Sequence, residues 1–158
     1  MAFMRIAALL LALTTIFNTS CTDKEDLPAF EDDYLAFGTF YGHCFGNCTH
    51  FFLIEDGKIY ADDIEIGIPD ELTFLTDPLS ADQYDIAREL LSTFPQDLLT
   101  TDQRTFGCPD CADQGGVMLE RRIEGETTRW FIDTGDDDQT QQIISYKDRV
   151  LEIVEELQ

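Results

Sequence analysis

The placement of the five cysteines constrains this 158-residue sequence more than any other feature. Four of them form two close pairs, Cys44 with Cys48 and Cys108 with Cys111, while Cys21 stands apart behind an apolar segment. In an exported chain, an even number of cysteines most simply forms disulfides. We expect pairing within each segment, which needs no assumption about the fold. Crossed pairing between the segments is the alternative, and it would constrain the unfolded chain more.

The first twenty residues are typical of an export signal. A short basic segment ends at Arg5, and the apolar run 6–17 is shorter than the roughly 20 residues that span a bilayer. Asn18, Thr19 and Ser20 then precede Cys21. A cysteine at this place resembles the lipidation site of a bacterial lipoprotein, which implies that Cys21 becomes the acylated first residue of the mature chain. The alternative is an ordinary secretory signal that is cleaved nearby.

Residues 21–32 are predicted to be a solvated tether, because they are polar, acidic and contain Pro28 without a helical or strand period. Its first part, residues 22–26, resembles the lysine-then-acidic tract of surface-exported lipoproteins of the Bacteroidetes. That resemblance implies display on the outer face of the outer membrane, with the periplasmic face as the alternative. The remaining residues, 33–158, are expected to form a single domain.

The net charge of -22 excludes several classes of partner. Ten Lys and Arg against 32 Asp and Glu cannot supply the clustered cations that nucleic acid or an anionic lipid surface requires. We therefore expect the membrane to be reached only through the N-terminal lipid. The partner should be a protein or a small ligand. A hydrophobic content of 44% argues against intrinsic disorder.

Hydrophobic alternation and turn signals predict two antiparallel hairpins. Asp56-Gly57 and Glu124-Gly125 are typical of tight hairpin turns. Alternation places Arg121 and Arg122 on opposite faces, and Trp130 is predicted to lie in the core. The predicted strands are 34–41, 49–55, 58–62, a short one at 72–75, 117–123 and 127–133. Residues 98–106 are ambiguous.

Two helices complete the prediction. Ser80 and Gln83 have the spacing of a capping box, and the helix that they begin is expected to run to about Thr93, before Pro95. A second helix over 140–157 has one apolar stripe, formed by Ile143, Ile144, Val150, Leu151, Val154 and Leu157. The fold class is α+β, with antiparallel hairpins packed against two helices. A Cys loop, a hairpin and a helix occur in that order twice, which suggests a weak internal ββα repeat.

A zinc site is one alternative use of the cysteines. Both histidines of the chain flank the first Cys pair, and a tetrahedral site accepts thiolate and imidazole ligands. The potential ligands are His43, Cys44, Cys48, His50, Cys108 and Cys111. The long gap between the pairs and an oxidising compartment favour disulfides, so no metal and no cofactor are predicted. The acidic run 133–138 lacks the spacing of an EF-hand and fits a helix N-terminus better than a calcium loop.

Thiol–disulfide exchange is another alternative. Cys108-Pro109-Asp110-Cys111 has the C-x-x-C form of thiol oxidoreductases, in which the first cysteine is activated at the head of a helix. Here two glycines and a predicted strand follow the motif, and the neighbouring carboxylates disfavour a thiolate. No nucleophile elbow, P-loop or dinucleotide fingerprint is present in the sequence, so no catalytic residue is assigned.

Two segments carry a more specific similarity, YGHCFGNCTHFFLIEDGKIY at 41–60 and GCPDCADQGGVMLE at 107–120. They resemble a group of small lipoproteins of the Bacteroidetes, in which a C-x-x-x-C strand segment precedes C-P-D-C-A-D-Q-G-G and a helix ends the chain. The similarity covers most of residues 33–157. It implies a lipid anchor but brings no activity and no catalytic residue with it.

Together these features predict a lipid-anchored, disulfide-stabilised extracytoplasmic domain. We expect a non-enzymatic binding or accessory module whose ligand is unknown. The alternatives are a thiol–disulfide enzyme that uses Cys108 and Cys111, and a zinc-binding domain.

Overall fold

The protein was analysed as a computed structural model, which describes residues 32–43, 46–64 and 70–158. The predicted signal peptide, Cys21 and nearly all of the tether lie outside these ranges. The described chain forms a six-stranded sheet in the order β3-β2-β1-β5-β6-β4. The strands are β1 (Tyr34–Phe40), β2 (His50–Glu55), β3 (Lys58–Ala61), β4 (Thr105–Phe106), β5 (Gly116–Ile123) and β6 (Glu126–Asp133). Neighbouring strands are antiparallel except β4, which is parallel to β6.

The two predicted hairpins flank β1. Asp56 and Gly57 turn β2 into β3, while Glu124 and Gly125 turn β5 into β6, and all four residues have positive φ. This conformation matches the twist of paired strands, which is why the hairpins are tight. β1 lies between β2 and β5 and is buried on both faces, because Leu35, Ala36 and Phe37 are all fully buried.

Helices cover one face of the sheet. The predicted capping box is present, since the Ser80 hydroxyl accepts the Gln83 N–H and Gln83 accepts the Ser80 N–H. The expected single helix is divided at Arg88 into two, and a further helix follows Pro95. The long C-terminal helix begins after Thr140, whose hydroxyl accepts the Ile143 N–H. The helices are α1 (Ala81–Ala87), α2 (Glu89–Thr93), α3 (Gln96–Thr100) and α4 (Gln141–Leu157).

The main core lies between the sheet and these helices. Trp130 is buried there as predicted, with 2% of its surface exposed, and it packs against Phe94. The opposite face of the sheet has a smaller apolar cluster around Phe51, Leu53 and Met118. Phe74 covers part of this cluster, and instead of the predicted strand at 72–75 it forms only an isolated bridge to Asp62.

The fold is therefore α+β, with mostly antiparallel strands covered by helices, and a hairpin precedes a helix twice along the chain. Residues 98–106, ambiguous in the sequence, contain the end of α3 and the short strand β4. No helix within the described ranges is long and apolar enough to cross a membrane.

Candidate functional site

The second Cys segment is an exposed turn at one end of the sheet, between β4 and β5. Cys108 and Cys111 form a disulfide with a Cα–Cα distance of 5.5 Å, and both residues are exposed to solvent. The Cys111 N–H donates to the Cys108 carbonyl at 3.2 Å, which closes the turn. Neither cysteine begins a helix, because the residues up to Gly115 form turns that enter β5 directly.

Asp110 holds this turn in shape and connects it to the first Cys segment. Its carboxylate accepts the Gly115 N–H at 3.0 Å and the Gly42 N–H at 2.8 Å. The Asp110 N–H in turn donates to the Gly115 carbonyl at 2.9 Å. Asp110 has a φ of 62°, a conformation that Asp tolerates better than most residues. The Asp110 carboxylate thus accepts two backbone N–H groups that have no backbone acceptor within the turn.

Asp133, at the end of β6, fixes the other side of the turn. Its carboxylate accepts the Cys108 N–H at 2.8 Å and the Gly135 N–H at 3.0 Å. These bonds, of which that from Gly135 has the largest effect, hold the pKa of Asp133 below its usual value. The Gln114 amide bridges the Cys108 carbonyl at 2.9 Å and Asp133 at 3.3 Å. The polar residues of the turn are consequently satisfied by one another.

The two glycines after Gln114 allow the turn to lie against β1. Gly115 has a φ of 72°, and a Cβ there would be 2.5 Å from the Phe40 carbonyl oxygen. A Cβ on Gly116 would be 2.7 Å from the Phe40 ring and 2.9 Å from Pro109. The CPDCADQGG string therefore encodes a particular turn and its docking on the sheet.

The first Cys segment is described only in part, because Cys44 lies outside the described residues. Cys48 is disulfide-bonded. Since Cys108 and Cys111 are bonded to each other in the structure, neither of them is the partner of Cys48. His43 lies near the second segment, with its Nδ1 3.6 Å from an Asp113 carboxylate oxygen, and both side chains are largely exposed.

The residues that could ligate zinc in the alternative interpretation do not form a metal site within the described ranges. Cys48, Cys108 and Cys111 are in disulfides and cannot act as thiolates in this state. His50 lies in β2 opposite Thr39, whereas His43 is in the loop before it. Among the residues that the structure describes, no group of three or more His, Cys, Asp or Glu side chains is placed to hold a metal ion.

Lys147 is an important residue that sequence reasoning missed. It lies on α4 with only 1% of its surface exposed, and its ammonium group reaches the acidic run after β6. Nζ donates to the Thr134 carbonyl at 2.9 Å, the Gly135 carbonyl at 3.3 Å and the Asp136 carboxylate at 2.7 Å. The ammonium group of Lys147 thus lies in the acidic run 133–138, where a calcium ion is the alternative considered from the sequence. The signal was the position of Lys147 within the apolar stripe, four residues after Ile143.

A second polar network, also not predicted, lies on the sheet face opposite the helices. Glu120 is only 7% exposed and accepts the Tyr34 hydroxyl at 2.8 Å and Arg129 Nε at 2.7 Å. Burial, together with the bond to Glu120, raises the pKa of Tyr34 to about 12. Both partners of Glu120 are therefore donors at neutral pH, and the network stabilises the sheet.

Comparison with known proteins adds no assignment. No protein-family model matches the sequence, and no curated protein matches it. The resemblance to lipoproteins of the Bacteroidetes thus stays a prediction.

Proposed function

We propose that this chain is a lipid-anchored extracytoplasmic domain that acts by binding and not by catalysis. The observation that carries the proposal is the exposed Cys108–Cys111 disulfide. A solvent-exposed disulfide persists in oxidising compartments and is reduced in the cytosol. The hydrogen bonds from Asp110 and Asp133 give this disulfide a structural setting, because they hold the turn that it closes.

The anchor would be an acylated Cys21, with residues 21–32 as the tether to a domain whose first strand begins at Tyr34. One acyl chain gives only marginal membrane binding, so a stable anchor requires the several chains of a lipoprotein N-terminus. The acidic surface would keep the domain in water, away from anionic headgroups. Such a domain is suited to capturing a protein or a small ligand at the cell surface.

Thiol–disulfide exchange is the second candidate, favoured by the exposure of both cysteines in a C-x-x-C motif. Its weakness is the missing helix. In thiol oxidoreductases the helix dipole stabilises the attacking thiolate. Here the Cys108 N–H already donates to the Asp133 carboxylate, and the Cys108 carbonyl accepts from the Gln114 amide.

Intact mass of the purified domain, measured with and without reductant and chelator, separates these functions. The proposal expects two disulfides, no bound metal and no insulin-reducing activity. Insulin reduction that is lost in Cys108→Ser would establish the thiol enzyme instead. Free thiols accompanied by a metal adduct would overturn both candidates.

Processing in cells tests the anchor. Globomycin, which blocks the lipoprotein signal peptidase, should cause the precursor to accumulate, and Cys21→Ala should abolish membrane retention. Unchanged maturation under the inhibitor would refute lipidation. Digestion of the domain by protease added to intact cells would place it on the outer face, whereas protection would place it in the periplasm.

A further inference from the structure

A small groove lies at the end of the sheet opposite the cysteine segments. The register of β5 and β6 places three cross-strand pairs in successive rows on the helix-covered face, namely Leu119 with Trp130, Arg121 with Thr128, and Ile123 with Glu126. The hairpin extends beyond the helices, so the outer two rows are left partly open. α3 and Arg104 form the wall of the groove, whose volume is about 130 Å³.

The groove combines two cations with an apolar surface. Arg121 lies over the Phe94 ring at 4.7 Å, and Arg104 lies over the Trp130 ring at 5.7 Å. Among the described residues, neither guanidinium forms an ion pair, in contrast to Arg88, Arg129 and Arg149. Arg104 Nη1 donates to the Thr101 carbonyl at 2.7 Å and the Gln103 carbonyl at 3.1 Å, which hold the guanidinium at the groove but leave its charge unopposed by a carboxylate. In a chain with 32 acidic residues, two such arginines at one groove are an unusual local concentration of positive charge.

The apolar part comes from both sides of the groove. Leu99 on α3 is 39% exposed and Ile123 at the tip of β5 is 37% exposed, although both are large hydrophobic side chains. Glu126 also lines the groove and contributes its one carboxylate. The lining therefore has two positive charges against one negative charge, beside an uncovered aliphatic surface.

We propose that this groove binds a small organic carboxylate with a short aliphatic or single-ring apolar group. The inference rests on the function proposed above and names the ligand class of that binding module. Guanidinium groups bind carboxylates through paired N–H donors, and a partly desolvated setting strengthens such bonds. A cavity of about 150 Å³ accommodates a benzene-sized molecule. The groove is slightly smaller, at about 130 Å³, so the apolar part of the ligand should have no more than about six carbons.

The chain contains an internal reporter for this test, because Trp130 is its only tryptophan and lines the groove. The probe is 4-methylpentanoate, titrated into the full mature domain while tryptophan fluorescence is recorded. For a ligand with so few heavy atoms, we expect saturable binding with a Kd of about 1 mM. Calorimetry of the same titration detects a ligand that binds without changing the fluorescence.

Matched variants identify the groove as the site. Arg121→Gln should weaken binding at least about tenfold, as expected for a lost charge-assisted contact. Arg122→Gln removes the same charge from the adjacent position on the opposite face of the sheet and should leave the affinity within about twofold. Glu126→Gln should tighten binding because it removes the opposing carboxylate. Urea unfolding of each variant shows whether the domain is still folded, and Arg104→Gln provides a second test if Arg121→Gln is not.

Two other ligands define the chemistry. The neutral 4-methylpentan-1-ol and inorganic phosphate should each bind at least about tenfold more weakly, since each lacks one half of the recognition. If the alcohol bound as tightly as 4-methylpentanoate, the groove would be only an apolar cleft. If phosphate bound as tightly as 4-methylpentanoate, it would be only a cationic patch. Either result overturns the proposal. So would the absence of saturation up to about ten times the expected Kd, or equal losses in Arg121→Gln and Arg122→Gln. None of these outcomes affects the mass and processing measurements that test the anchored, disulfide-bonded domain.

Discussion

Replacement of Lys147 by Met tests the arrangement of the acidic run 133–138. Lys147 lies on α4, and its side chain is buried. Its ammonium group donates to two backbone carbonyls and one carboxylate. Met preserves most of the packed volume but cannot donate a hydrogen bond. The substitution therefore isolates the contribution of the charged group.

The magnitude follows from the three hydrogen-bond acceptors of Nζ, to which Asp148 adds a longer ion pair at 3.4 Å. Hydrogen bonds from charged donors contribute about 1.5–3 kcal/mol each, and removing one member of a buried ion pair costs about 3–5 kcal/mol. Both figures are upper limits here, because the Asp136 side chain is 68% exposed and water can reach part of the loop. We expect Lys147→Met to lower the free energy of unfolding by about 2–3 kcal/mol. For a domain of this size, that loss corresponds to a fall in Tm of roughly 10 °C.

The assay is urea unfolding under oxidising conditions, with two controls. Asp136→Asn removes the charge of one exposed partner and should cost less than about 1 kcal/mol. Arg149→Met, on the same helix, removes a half-exposed cation with three acidic neighbours and should also cost less than about 1 kcal/mol. If Lys147→Met cost no more than these controls, the ammonium group would not organise the loop, and a bound cation would have to be considered there.

Three further perturbations have defined outcomes. Replacing both Cys108 and Cys111 by Ser should leave the domain folded but lower its free energy of unfolding in urea by about 2 kcal/mol, since the loop closed by the disulfide is short. Complete unfolding would show that the turn depends on the disulfide and not on Asp110 and Asp133. Burial raises the pKa of Asp62 to about 6, so its neutral form is favoured in the folded state. Protonation of Asp62 therefore stabilises the folded state as pH falls below about 6, and this contribution is lost as pH rises through about 6. Asp62→Asn should reduce the difference between the urea midpoints measured at about pH 5 and at about pH 7.5. An unchanged difference would contradict the raised pKa of Asp62. Gly38→Ala should destabilise by about 3 kcal/mol or more, because a Cβ would lie 2.0 Å from the His50 carbonyl oxygen, whereas Gly135→Ala meets nothing closer than 3.7 Å and should be nearly neutral by thermal unfolding.

Local signals in the sequence predicted most of the elements. The turns at Asp56-Gly57 and Glu124-Gly125 and the capping box at Ser80 are interactions between near neighbours, so their residue types are sufficient to identify them. The stripe of α4 likewise depends only on helical spacing. The four strands of the two hairpins and α4 were predicted within one or two residues of their observed ends, and α1 was predicted correctly at its start but not at its end.

Features that depend on distant parts of the chain were missed. β4 has two residues and pairs in parallel with β6, so nothing in its own sequence distinguishes it from a loop. The predicted strand at 72–75 had suitable residues but found only the single bridge at Phe74. α3 was missed because Pro95 was interpreted only as the end of the preceding helix, although proline is also common at a helix start.

The cysteine segments likewise combine a local feature that the sequence predicts with distant contacts that it does not. The C-x-x-C spacing allowed a disulfide, a metal site or a redox centre, and the sequence alone left all three open. What the structure adds is where Asp110 and Asp133 point. Both carboxylates accept backbone N–H groups of the turn, and Asp133 lies 25 residues beyond Cys108 in the chain. Such a contact becomes visible only when β5 and β6 are paired.

These contacts also change how the excess of acidic residues is interpreted. Many of the acidic residues near the cysteines are structural, because Asp110 and Asp133 bind backbone donors and Asp136 pairs with Lys147. A cluster of carboxylates whose lone pairs are already used has little left to offer a cation. In a chain of net charge -22, the more informative observation within the described ranges is a pair of cations at one groove that form no ion pair. Arg104 and Arg121 meet that description, and they lie at the end of the sheet that the cysteine turns leave uncovered, which is why ligand binding should be sought there first.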